Sequence, residues 1–108
     1  MTIWYVGRHA ASLDWLRGRG IVPHQVLAHL DGSVWPAPGD LVLGNLPVQW
    51  IAALGERGVR YVQITLDVPM HLRGQELDAE LLDTLNVRLQ AFSATEEALP
   101  DALRNLAR

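Results

Sequence analysis

Cysteine is absent from this chain, and so is lysine. The first absence excludes disulfides, thiol nucleophiles and thiolate metal sites. The second makes each of the nine fixed cations an arginine. A codon bias towards arginine accounts for that, and so would a phosphate site, because a guanidinium fork grips phosphate through two parallel hydrogen bonds. No apolar run approaches the roughly 20 residues that a membrane-spanning helix needs. No basic segment leads into a long apolar one near Met1, so neither a secretory leader nor a membrane partner is expected, and a cytoplasmic location fits. GxGxxG and GxxxxGK(S/T) are both missing, which leaves no dinucleotide fingerprint and no P-loop to argue from. The histidines at 9, 24, 29 and 71 lack metal-ligand spacing, with His24 and His29 expected on opposite faces of one strand. No metal and no cofactor is therefore expected. A net charge of −3 argues against a broad surface for long nucleic acid but leaves room for a small cationic pocket.

What the chain does have is apolar residues in short, punctuated runs. At 49% hydrophobic over 108 residues it has the composition of one globular domain, spanning 1–108. Residues 2–8 are apolar on both faces, as a central parallel strand is, and 10–19 reads as a helix closed by Gly18 and Gly20. A second strand covers 25–30, and a proline-rich packed loop follows over 31–39. Residues 40–44 form a third strand, and Pro47 opens a helix that ends near Gly58. Residues 59–66 are the most β-favouring run of all. Two strand–helix–strand units in succession predict right-handed parallel crossovers, hence an α/β, Rossmann-like three-layer domain with a mostly parallel sheet of about four strands. The stripe Leu81, Leu85, Leu89 and Phe92 predicts a long helix over 78–92. Leu99, Leu103 and Leu106 are helically spaced within the final stretch, 95–108.

In such a sheet the strand ends face a ligand crevice, and helix N-termini offer unpaired N–H groups to anions. The first strand ends in Gly7-Arg8-His9 at a helix start, a cation and an imidazole able to hold phosphate and move protons near neutral pH. Ser12 adds a hydroxyl on the same turn. The competing account is an Arg8 paired with Asp14 or Asp31 and a His9 that merely caps the helix. Gly44-Asn45 ends the third strand, where glycine permits close backbone approach and the carboxamide both donates and accepts; ordinary turn chemistry explains the pair equally well. Asp67 ends the fourth strand and could orient a neighbour or bind a ribose hydroxyl. His71 and Arg73 follow in a loop that could close over a phosphate or simply be solvated.

Taken together, Gly7-Arg8-His9, Gly44-Asn45-Leu46-Pro47 and Asp67-Val68-Pro69…Arg73-Gly74 give a chain that resembles the small CRISPR-associated accessory proteins of type III systems. That family is similar in architecture to CRISPR-associated Rossmann fold domains and is linked to ring nuclease activity on cyclic oligoadenylates. The resemblance implies a homodimer holding one cyclic tetra-adenylate across its two-fold axis. It further implies metal-independent attack of a ribose 2′-hydroxyl, with Arg8 and Arg73 as the phosphate clamp and His9 as general base or acid. Gly7, Ser12, Gly44, Asn45, Asp67 and His71 would position the ligand. Two other readings use the same residues differently. One is a sensor or sponge that binds the ring uncut, and the other a structural partner that docks through its tryptophans and C-terminal segment.

Overall fold

The computed structural model describes residues 1–106. Five strands form one sheet in the order β2-β1-β3-β4-β5. They are β1 (Ile3–Val6), β2 (Gln25–Leu27), β3 (Leu41–Gly44), β4 (Arg60–Thr65) and β5 (Arg88–Phe92). The first four are mutually parallel, and β5 runs antiparallel to β4. Helices α1 (Ala10–Gly18) and α3 (Ala79–Leu82) cover one face, and α2 (Val48–Glu56) covers the other.

Alternation along the strands divides the core into two layers. Trp4, Val6, Val42 and Tyr61 pack with Ile51 and Leu54 of α2. Tyr5, Leu43 and Ile64 pack with Ala11, Trp15 and Leu16 of α1 and with Leu82 of α3. This is the expected three-layer, Rossmann-like α/β arrangement. The β2–β3 connection crosses the α2 face without a helix, and Leu30 and Trp35 fill the space that a crossover helix would take. No helix of the described residues is long and apolar enough to cross a membrane.

Two expectations are overturned. The predicted helix over 78–92 is a single turn, α3, followed by β5. Asp78 caps that turn, its carboxylate accepting the Leu81 N–H at 2.7 Å. Thr84 then donates its hydroxyl to the Leu81 carbonyl, and Asn86 adopts a left-handed φ of 51°, which ends any helix. Of the stripe only Leu85 is buried; Leu81 is half-buried, Leu89 and Phe92 are exposed, and the neighbouring Leu82 enters the core instead. From Val87 onward the chain alternates with period two, and pairing with β4 satisfies a whole row of backbone groups that an edge strand would leave open. The second strand is also shorter than expected, so His24 and His29 both flank it. His24 lies just before it and accepts the Ile3 N–H on Nδ1 at 2.9 Å. In the final stretch a 3₁₀ turn over Asp101–Leu103 replaces the helical pattern, and residues 107–108 lie outside the described region.

At the amino ends of the strands sits Asp40, only 7% exposed. Its carboxylate accepts the N–H groups of Thr2 and Ala37, each at 2.9 Å, and the Trp4 indole N–H at 3.1 Å. These bonds, led by the one from Thr2, hold its pKa below the ordinary value of 3.8. A carboxyl with a depressed folded pKa contributes stability above its unfolded pKa and loses it as the pH falls through the folded one. Asp40→Asn should therefore be clearly less stable than wild type in urea unfolding at pH 7. The gap should narrow at pH 3, below the ordinary carboxyl value at which the unfolded chain takes up its proton; an equal gap at both pH values would refute the charge-based account.

Candidate active site

The strand order reverses between β1 and β3. From β1 the chain turns through α1 on one face, and from β3 it turns through α2 on the other. Loops leaving in opposite directions open a crevice beyond the strand ends, the usual ligand position in open α/β sheets. A cleft of about 1170 Å³ lies at this place. That exceeds the roughly 300–1,000 Å³ typical of small-molecule pockets. The turn after β1 forms one side and the ends of β3 and β4 form the floor. Val68 and the loop Leu72–Leu77 overhang it from the α1 face.

Seven of the nine residues singled out in the sequence line this cleft: Gly7, Arg8, His9, Ser12, Gly44, Asn45 and Arg73. His9 is the N-cap of α1, in extended conformation, and its side chain makes no capping bond. Its backbone carbonyl receives the Tyr5 hydroxyl at 3.2 Å and the Ser12 N–H at 3.2 Å. Burial pushes the Tyr5 phenol above its ordinary pKa, so it remains a donor to that carbonyl at neutral pH. Arg8 and His9 are exposed, and among the described residues Arg8 joins no ion pair with Asp14, Asp31 or any other carboxylate. The first turn of α1 carries no acidic residue, and its Ala10 and Ala11 face the cleft. Arg73 reaches back to donate its Nε–H to the Val68 carbonyl at 3.4 Å. Glu76 is the one carboxylate among the lining residues.

The two glycines have packing reasons to be there. A Cβ on Gly7 would come within 2.6 Å of the Tyr5 hydroxyl, and one on Gly44 would fall on the Val6 carbonyl oxygen. Both lie in the cleft wall, yet what each admits is the chain's own atoms. Asn45 donates its amide N–H to the Ile64 carbonyl at 3.3 Å, tying the end of β3 to β4.

Asp67 and His71 lie outside the cleft lining. Arg88 of β5 grips the Asp67 carboxylate with both terminal nitrogens, at 3.2 and 3.3 Å, and Asn86 adds a third bond at 3.1 Å. The Arg88 bond, followed by that from Asn86, holds the Asp67 pKa below its ordinary value. Asp67 thus anchors the start of the overhanging loop. His71, in a 3₁₀ turn, accepts the Gln75 side-chain N–H on its backbone carbonyl at 3.0 Å. Residues that sequence reasoning passed over also line the cleft, among them Tyr5, Gln63, Thr65 and Glu76. The period-two polar pair Gln63 and Thr65, inside an otherwise apolar strand, was the available signal. Arg57, at the C-terminal end of α2, stacks 3.7 Å over the Trp35 ring, away from the cleft. Among the described residues no three His, Asp or Glu side chains gather as a metal would require.

Residues 4–95 match the model of the family described as "Putative CRISPR-associated protein (Cas_VVA1548)". No curated protein and no solved structure matches the chain.

Overpacking a close backbone approach typically costs about 1–3 kcal/mol. Gly44→Ala is expected to lower unfolding stability by that amount in urea titration. A neutral result would show that β1 and β3 separate there without strain.

Proposed function

The chain belongs to this CRISPR-associated family, and from that membership and the cleft we propose that it is a ring nuclease acting on cyclic oligoadenylate, with cyclic tetra-adenylate as the substrate. The observation that carries the reading is a cleft at the sheet's switch point, larger than a mononucleotide site, with Arg8, Arg73, His9 and the open first turn of α1 around it. Cyclic oligoadenylates are 3′,5′-linked RNA rings, so each linkage carries its own nucleophile in the adjacent 2′-hydroxyl. The protein must align the 2′-oxygen, the phosphorus and the 5′-oxygen, and must stabilise charge on the phosphoryl oxygens.

Arg8 and Arg73 clamp the phosphate, with the α1 N–H groups behind them. His9 takes the 2′-hydroxyl proton as general base or supplies one to the departing 5′-oxygen as general acid. The new bond joins the 2′-oxygen to phosphorus and the bond from phosphorus to the 5′-oxygen breaks; repeated at the opposite linkage, the step yields two linear di-adenylates, each ending in 2′,3′-cyclic phosphate. No metal takes part in these steps. Two copies related by a two-fold axis would surround the ring and place Arg8 and Arg73 of both copies around its phosphates. Cutting the ring would end type III CRISPR signalling.

The alternative, a sensor or sponge that binds the ring uncut, is favoured by one detail. Among the described residues no hydrogen bond orients the His9 imidazole.

Incubation with labelled cyclic tetra-adenylate in EDTA, followed by product chromatography, tests the proposal. Linear di-adenylate is the expected product, and tight binding of intact ring would select the sponge instead. His9→Ala should retain binding and slow single-turnover cleavage by about 10²–10⁴-fold. Arg8→Ala should weaken ring binding by about tenfold or more, because a charged hydrogen bond to phosphate is lost. Loss of binding in His9→Ala would remove the proton-transfer role.

A further inference from the structure

The cleft has two chemically different walls. Arg8, His9 and Arg73 come from the turn after β1 and from the overhanging loop, whereas β3 and β4 contribute neutral groups: Asn45, Gln63 and Thr65. Asn45, the carboxamide singled out from sequence, gives one amide N–H to the Ile64 carbonyl at 3.3 Å. Gln63 is engaged at both ends of its carboxamide, but only at 3.4 Å.

Its environment follows from the register. Gln63 lies beside Gly44 on one side, where there is no side chain, and beside Gln90 of β5 on the other. Tyr61 and Thr65 flank it on the same strand face. The Tyr61 hydroxyl accepts the Leu46 N–H at 3.0 Å and donates to the Gly44 carbonyl at 3.2 Å. A hydroxyl has one proton to give, so its approach to Gln63 Oε1, at 3.4 Å, leaves that oxygen with capacity to spare. The Gln63 amide donates to Thr65 Oγ1 at 3.4 Å, again at the outer limit of a hydrogen bond. A half-buried carboxamide in a cleft wall, weakly bonded at both ends, has a donor and an acceptor available side by side.

We infer that Gln63 is the specificity-determining residue of the cleft and that it reads the adenine base. Adenine presents the complementary pair, its N6 amino donor beside a ring-nitrogen acceptor, and a glutamine satisfies both at once. The phosphates then lie towards the arginine wall and a base towards β4. The inference rests on the ring nuclease reading, and its test separates the two.

The test uses His9→Ala protein, in which cleavage of bound ring is slowed, and two ligands: cyclic tetra-adenylate and the same ring with purine riboside replacing each adenosine. The two ligands differ only in the N6 amino groups. Calorimetry should show the adenine ring bound about tenfold more tightly, the order expected for loss of a buried hydrogen bond. Adding Gln63→Met, similar in shape but without donor or acceptor of that strength, should make the two affinities equal. Adding Gln63→Glu, which keeps the acceptor for N6, should preserve the preference while weakening both rings. If Gln63→Met is unfolded by circular dichroism, Gln63→Ala makes the same comparison. Equal affinities before Gln63 is changed, or a preference that survives Gln63→Met, would overturn the assignment. Failure of both His9→Ala and wild-type protein to bind either ring would overturn the ring-binding reading beneath it, and the base assignment with it.

Discussion

One buried carboxylate sets the register on which everything else in this protein depends. Asp40 collects N–H groups from the start of β1, from the loop before β3 and from the Trp4 indole. Its backbone carbonyl also accepts the Arg60 N–H that opens β4. Three neighbouring strands are thereby indexed at one end, with Ile3 opposite Leu41 and Leu41 opposite Arg60. The pairing then runs four residues to Val6 beside Gly44 and Gly44 beside Gln63. Slipping a strand by one residue would exchange its two faces. It would also remove the close approach of Gly44 to the Val6 carbonyl, and the polar residues would no longer emerge together.

The cleft follows from that indexing and from the reversal of strand order at β1 and β3. In its wall two glycines admit backbone and phenol where side chains would otherwise stand. Its overhang is held at one end by the Asp67–Arg88 pair and at the other by Asp78 capping α3. The antiparallel direction of β5 matters here. It carries Arg88 to the cleft end of β4, opposite Thr65, and sends the C-terminal stretch away from Phe92 at the other end. The exposed Leu99, Leu103 and Leu106 therefore follow a strand that leads away from the cleft.

Residues 78–92 show where sequence reasoning fails and why. Leu81, Leu85, Leu89 and Phe92 repeat at helical spacing, but the same segment from Val87 alternates with period two, and both patterns fit its apolar residues. Local propensity cannot choose between them. Asn86 in a left-handed conformation and an open edge on β4 do, and the second exists only once the sheet is assembled. Asp67 was legible as a strand-end carboxylate, but its partner Arg88 lay in the segment read as helix, so its anchoring role was out of reach. Gln63 was hidden for a related reason. Its neighbour Gly44 and the prior commitment of the Tyr61 hydroxyl are facts of pairing across strands.

By itself the sequence determined the layered α/β class, the parallel strands β1 to β4, the two crossover helices and the exclusion of thiol chemistry. These rest on local periodicity, turn residues and composition, which each segment carries alone. It also placed Arg8, His9 and Arg73 at strand ends or in loops, where side chains are free to meet a ligand. The tertiary structure decided which of those ends converge, which carboxylate is consumed by an ion pair, and how the carboxamides of Asn45 and Gln63 are engaged. Those outcomes depend on contacts between residues far apart in the chain, such as Asp67 with Arg88 and Gly44 with Val6, and no local pattern encodes them.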